Sequence, residues 1–84
     1  MIMQMSPSFQ TKASAVLANI RVQRLTKQYS QLYVATKLGI TQNAYSKIEL
    51  GYSNVTLTTV LRIAEILDVD LTELILPEPL LQQG

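Results

Sequence analysis

Gln42, Asn43, Ser46 and Lys47 recur at positions i, i+1, i+4 and i+5 of a short stretch, TQNAYSKIEL. On a helix these four side chains share one face. An amide carries a donor and an acceptor side by side. Gln42 and Asn43 therefore match adenine N6 and N7 in bidentate fashion. Lys47 lies one turn further along and has the reach for guanine O6 or N7, or for a phosphate. Ser46 and Thr41 carry hydroxyls suited to phosphate, although Thr41 is placed first of all to cap a helix.

Such a face needs a body to hold it, and Gln31 to Leu50, QLYVATKLGITQNAYSKIEL, supplies one. The run predicts two short helices joined by a tight turn. Val34 and Leu38 are four apart and share a face. Ala35 is small enough for a second helix to cross closely. Gly39 accepts the left-handed backbone that ends a helix. Ile40 is expected to point back into the core, and Tyr45 and Ile48 to hold the second helix on the body. The pattern is a helix-turn-helix, which offers its second helix to the major groove of DNA.

The chain resembles the Cro/cI-type helix-turn-helix regulators, also called the xenobiotic-response-element family. The similarity runs from about Ile20 to Leu74 and is carried by IRVQR, SQLYVATKLGITQNAYSKIELG and TLTTVLRIAEILDVDLTEL in that order. The resemblance implies an all-α, compact five-helix repressor-like domain, usually dimeric, that binds operator DNA. It places Gln42 and Asn43 against base edges. It makes Gln31 a phosphate contact that also braces the first residue of the recognition helix. It sets Arg24 of the first helix beside Glu49 late in the third, as an ion pair. It brings the loop Tyr52, Ser53 and Asn54 to the DNA backbone, though here that loop is neutral. Tyr45 fills an apolar core position, and its hydroxyl is a further candidate for a phosphate. Gln23, Leu25, Leu32 and Val55 depart from the usual pattern without breaking the motif.

Composition bounds the alternatives. Eighty-four residues, 48% of them hydrophobic, suit one domain with a packed core. No apolar run approaches the roughly 18 residues of a membrane span. The start, MIMQMSPSFQ, lacks the pattern of a signal peptide. With no cysteine and no histidine, disulfides, thiol chemistry and Cys/His zinc sites are excluded. No cofactor or metal is expected, and the cytoplasm of a cell without a nucleus is the simplest location, for a nucleoid-associated protein of prokaryotic or phage origin. The net charge of +1 hides a division. Lys12, Arg21, Arg24, Lys27, Lys37 and Lys47 precede every acid, and Arg62 is the only base after them. Glu49, Glu65, Asp68, Asp70, Glu73 and Glu78 follow. A basic face toward phosphate and an acidic face away from it would result.

Along the chain, residues 1–11 read as a flexible leader, 12–76 as the DNA-binding domain with its helix-turn-helix at 31–50, and 77–84 as a tail. Helices are expected at about 12–27, 31–38, 42–50, 57–67 and 71–76. Ser30, Thr41 and Thr56 are their N-caps, Asp70 with Glu73 forms a capping box, and Gly51 ends the third helix. In the fourth helix, Leu57, Val60, Leu61, Ile63, Ala64 and Leu67 are expected to cover a broad apolar face. Pro77 and Pro79 forbid continuation of the fifth.

The leading expectation is a sequence-specific regulator of double-stranded DNA acting as a homodimer, because one module touches too few base pairs for selectivity. Ile75, Leu80 and Leu81 are the candidate dimer seam. The alternative is an interaction module with a protein partner: an antitoxin, an adaptor or a restriction–modification controller. An enzyme is disfavoured by the lack of a histidine, a cysteine, a carboxylate cluster in the basic part and a glycine-rich phosphate loop.

Overall fold

Local capping rules account for most of the helix boundaries. In the computed structural model, which describes residues 8–75, five helices follow one another: α1 Ser8–Thr26, α2 Gln31–Leu38, α3 Gln42–Leu50, α4 Leu57–Leu67 and α5 Leu71–Ile75. All regular structure among the described residues is helical. Ser30, Thr41 and Thr56 each hold an extended backbone and accept a bond from the N–H three residues on, at Tyr33, Ala44 and Thr59. Each satisfies one of the donors that a helix start leaves open. At α5 the Glu73 carboxylate accepts from the Asp70 N–H at 3.2 Å.

The first four helices all end in the same double bond pattern. After α2, the Gly39 N–H donates to the Thr36 carbonyl and the Ile40 N–H to that of Ala35. The same pairing closes α3 through Gly51 and Tyr52, α1 through Gln28 and Tyr29, and α4 through Asp68 and Val69. The residue at the turn is left-handed each time, with φ of 80° at Gly39, 82° at Gly51, 64° at Gln28 and 59° at Asp68. Glycine takes that conformation freely, while Gln28 and Asp68 hold it against a steric cost.

The helices enclose one core of Ile20, Val34, Ala35, Leu38, Tyr45, Val60, Ile63, Ala64, Leu67 and Leu74. Helix α2 packs on α3 and α4, while α1 runs across α3, α4 and α5. Ala35 is fully buried, so its small side chain sits where helices meet. Asn19 on α1 donates from Nδ2 to the Leu74 carbonyl of α5 at 2.8 Å, stitching the last helix to the first. Arg62 of α4 reaches the Leu38 carbonyl at the end of α2, at 3.4 Å.

Three expectations need correction. Helix α1 begins at Ser8, not at Lys12, so residues 8–11 belong to the helix and not to the leader. Ile40 is 37% exposed and does not return to the core, because the left-handed Gly39 swings the chain outward before α3 begins. Leu57 and Leu61 are exposed, so the apolar stripe of α4 is narrower than its composition implies and the core takes Val60, Ile63, Ala64 and Leu67. The tail positions Leu80 and Leu81 lie outside the described residues.

A Cβ built on Gly39 meets nothing within 4 Å, and one on Gly51 only touches Leu17 at 3.6 Å. The cost of alanine at either position is therefore backbone strain alone. Gly39→Ala and Gly51→Ala should each lower stability by about 1–2 kcal/mol, as read by urea unfolding. A much larger loss at either glycine would show that more than backbone conformation is at stake.

Candidate nucleic-acid interface

Helix α3 divides cleanly into an inner and an outer face. Tyr45 and Ile48 are buried on the inner side. Gln42, Asn43 and Lys47 are exposed on the outer side, with Ser46 half-buried among them. Thr41 is exposed at the start of α3; its oxygen accepts the Ala44 N–H at 3.0 Å, which leaves its hydroxyl hydrogen to donate. Tyr52, Ser53 and Asn54 are exposed in the loop that follows α3.

What holds α3 in place is a carboxylate surrounded by donors. Glu49 accepts from Arg24 Nε at 2.7 Å and from Arg24 Nη2 at 3.0 Å. It also accepts from the Tyr45 hydroxyl at 2.6 Å and from Gln31 Nε2 at 3.2 Å. The third guanidinium nitrogen, Nη1, donates to the Tyr29 carbonyl at 2.9 Å, in the link between α1 and α2. The Arg24 and Glu49 side chains are only 8% and 3% exposed. One acid thus joins α1, α2 and α3.

The protonation of this cluster follows from its geometry. Burial by itself would raise the Glu49 carboxyl, but the bonds from Arg24, Tyr45 and Gln31 outweigh it and hold the group below its ordinary value. The bond to Glu49 raises Arg24 against the opposing effect of burial. Burial, then the bond to Glu49, pushes the Tyr45 hydroxyl strongly up, so it remains a donor.

Two sequence-based roles change. The Tyr45 ring is fully buried, and its hydroxyl donates to Glu49 rather than lying free for a phosphate. The Gln31 amide braces the last turn of α3 through Glu49, not its first residue. Sequence reasoning missed Asn19 and the Tyr29 carbonyl as structural partners. A polar residue next to the buried Ile20 was the available signal for Asn19, and nothing local marks Tyr29.

Other cations lie around this surface. Lys47 is on α3, and Lys37 on α2 has its Nζ 5.5 Å from the centre of the Tyr33 ring. Tyr33 in turn packs on Tyr29 with ring centres 4.5 Å apart. The acids Glu65, Asp68, Asp70 and Glu73 ride on α4, α5 and their connection, where they border a common surface depression. These four acids thus lie on a different helix pair from Lys37 and Lys47. No group of acids among the described residues is arranged to hold a metal ion, and none of their helices is long and apolar enough to cross a membrane.

A short capped helix, a left-handed glycine and a second capped helix with a polar outer face define the helix-turn-helix class of DNA-binding domain. Residues 20–74 match the model of a family described as helix-turn-helix, well over half of the chain. The chain belongs to this family, of the Cro/cI type. Among solved structures it is similar to a hypothetical transcription factor, NHTF, from Neisseria. The TM-score is 0.75 and the identity 26%, covering 90% of this chain and 87% of that one. No curated protein matches it.

Glu49→Gln should cost about 3 kcal/mol, because it leaves a buried guanidinium without its counter-charge. Tyr45→Phe removes one bond to a charged acceptor and should cost less, about 1.5–3 kcal/mol. The pH response has a definite sign. The folded carboxyl lies below its ordinary value of 4.5, so its stabilisation is fully present well above that pH and disappears as the pH falls through the folded value. Thermal unfolding of the wild type should therefore weaken more steeply below about pH 4.5 than that of Glu49→Gln. Parallel pH profiles would show that Glu49 is not held below its ordinary value.

Proposed function

We propose that this protein is a sequence-specific regulator of transcription that reads double-stranded DNA with α3 in the major groove. The observation that carries the reading is the two-sided character of α3. Its inner face is locked by Glu49, and its outer face presents Gln42, Asn43 and Lys47 to solvent. A base-reading helix needs both properties, since loosely held side chains lose discrimination. The likeness to a protein described as a hypothetical transcription factor supports the same assignment.

In this reading Gln42 and Asn43 pair with base edges and Lys47 takes a guanine or a phosphate. Thr41, Ser46, Tyr52, Ser53 and Asn54 serve the DNA backbone. Gln31 contributes through the open N–H groups at the start of α2, since its amide is committed to Glu49. The protein works as a homodimer on a two-fold operator, with recognition helices about 34 Å apart. Its seam involves Ile75, which is 47% exposed, together with Leu80 and Leu81. It needs no cofactor, catalyses no reaction and acts in the cytoplasm of a prokaryotic or phage-bearing cell.

Gln42→Ala and Asn43→Ala should each reduce discrimination between the selected operator and a scrambled duplex by about 1–3 kcal/mol, leaving non-specific binding in place. Titration of both duplexes reads this directly, and an unchanged ratio would remove the residue from the readout. Removing the charge of Lys27 or Lys37 should act differently. Affinity should fall alike for every sequence, with the salt slope flatter by at most about one unit per contact. A shift in base preference at constant salt slope would overturn that assignment.

A further inference from the structure

We infer that the groove between α1 and the C-terminal end of α3 receives the C-terminal segment, residues 76–84, of a second copy of this chain. The dimer would then be closed by a reciprocal exchange of tails. The inference deepens the homodimer reading above and rests on it.

The groove has a volume of about 410 Å³ and includes Ala18, Arg21, Val22, Leu25, Glu49 and Leu50 in its wall. Val22, Leu25 and Leu50 are 54%, 53% and 60% exposed. Three large apolar side chains border one open concavity, and a partner that covered them would remove apolar surface from water. Ala18 keeps its floor low. Arg21 is exposed on its wall and has no acidic partner among the described residues.

The segment Leu76–Gly84, LPEPLLQQG, complements these features. Leu80 and Leu81 supply apolar side chains for Val22, Leu25 and Leu50. The Glu49 side chain in the same wall is buried and committed to Arg24, so Glu78 supplies a counter-charge for Arg21. The spacing agrees. Glu78 and Leu81 are about 9 Å apart in an extended chain. Arg21 and Leu25 are about 6 Å apart along a helix, and the arginine side chain spans the difference.

The point of departure argues for the other copy. Helix α5 is tied to α1 by the Asn19 bond to the Leu74 carbonyl. Asn19 and Arg21 are two residues apart, which places them about 200° apart around the helix. The chain's own tail would have to wrap half-way round a helix about 10–12 Å across. Proline fixes its own φ, so Pro77 and Pro79 in the sequence disfavour such a wrap.

The 84 residues include no cysteine, so introduced thiols report only on themselves. Leu25→Cys and Leu81→Cys are made as separate, differently tagged proteins, and also together in one chain. Under mild oxidation the mixed single variants should form a disulfide between unlike copies, at least about tenfold more than either variant alone. The chain carrying both thiols should run as a covalent dimer. An intrachain disulfide in that variant would overturn the proposal by placing the tail in its own groove. Absence of any cross-link in a sample that sediments as a dimer would overturn it by moving the interface elsewhere. In sedimentation, Arg21→Glu should weaken the dimer about fivefold, and adding Glu78→Arg in the same chain should restore it. Failure of the second change to rescue would refute the match between these residues. None of these measurements contains DNA. An intact operator titration beside a failed cross-link rejects the tail exchange alone, whereas a sound cross-link with no sequence preference rejects the regulator reading.

Discussion

A carboxylate removed from water at the meeting point of three helices must be matched by donors, and at Glu49 every helix involved contributes one. Arg24 comes from α1, Gln31 from α2 and Tyr45 from α3 itself. The guanidinium also reaches the Tyr29 carbonyl, so the link between α1 and α2 is drawn into the same network. A buried pair of this kind is weak evidence for net stability, since desolvation offsets much of the attraction. Its value lies in direction. The bidentate arginine and the tyrosine hydroxyl accept only one orientation of the last turn of α3. With that turn set, the outward side chains one and two turns earlier are set as well.

The remaining architecture agrees with that constraint. Two capped helices and a left-handed glycine bring α2 against α3, with Ala35 fully buried where the helices meet. Tyr45 combines two duties, because its ring fills the core and its hydroxyl ends on Glu49. The outer face is left free of structural work. Gln42, Asn43 and Lys47 are exposed and are not needed to hold the helix in place. The acids of α4 and α5 lie on a different helix pair from the lysines of α2 and α3.

Much of this was open to reading along the chain. Ser30, Thr41 and Thr56 cap where their side chains and positions require, and Gly39 and Gly51 end helices where a left-handed residue is needed. The polar outer face of α3 followed from spacing alone. The start of α1 did not, because no strong cap or apolar rhythm marks Ser8. The outward turn of Ile40 was hidden for a different reason. Hydropathy records what a residue prefers, whereas the direction of the chain after Gly39 decides where it goes.

The boundary between the two kinds of knowledge is sequence separation. The amino-acid sequence by itself determined four of the five helix starts, the turns between α2 and α3 and between α3 and α4, and the separation of basic from acidic segments. The starts and turns depend on bonds between residues at most five apart, and the charge separation on residue order alone, both of which the chain already specifies. Only the tertiary structure decided that the Gln31 amide goes to Glu49, that Tyr45 spends its hydroxyl inside the protein, and that Asn19 holds the Leu74 carbonyl. Gln31 and Asn19 find partners 18 and 55 residues away, and Glu49 is oriented for Tyr45 by Arg24 from 25 residues away. Which donor meets which acceptor across such distances is settled by how the helices pack.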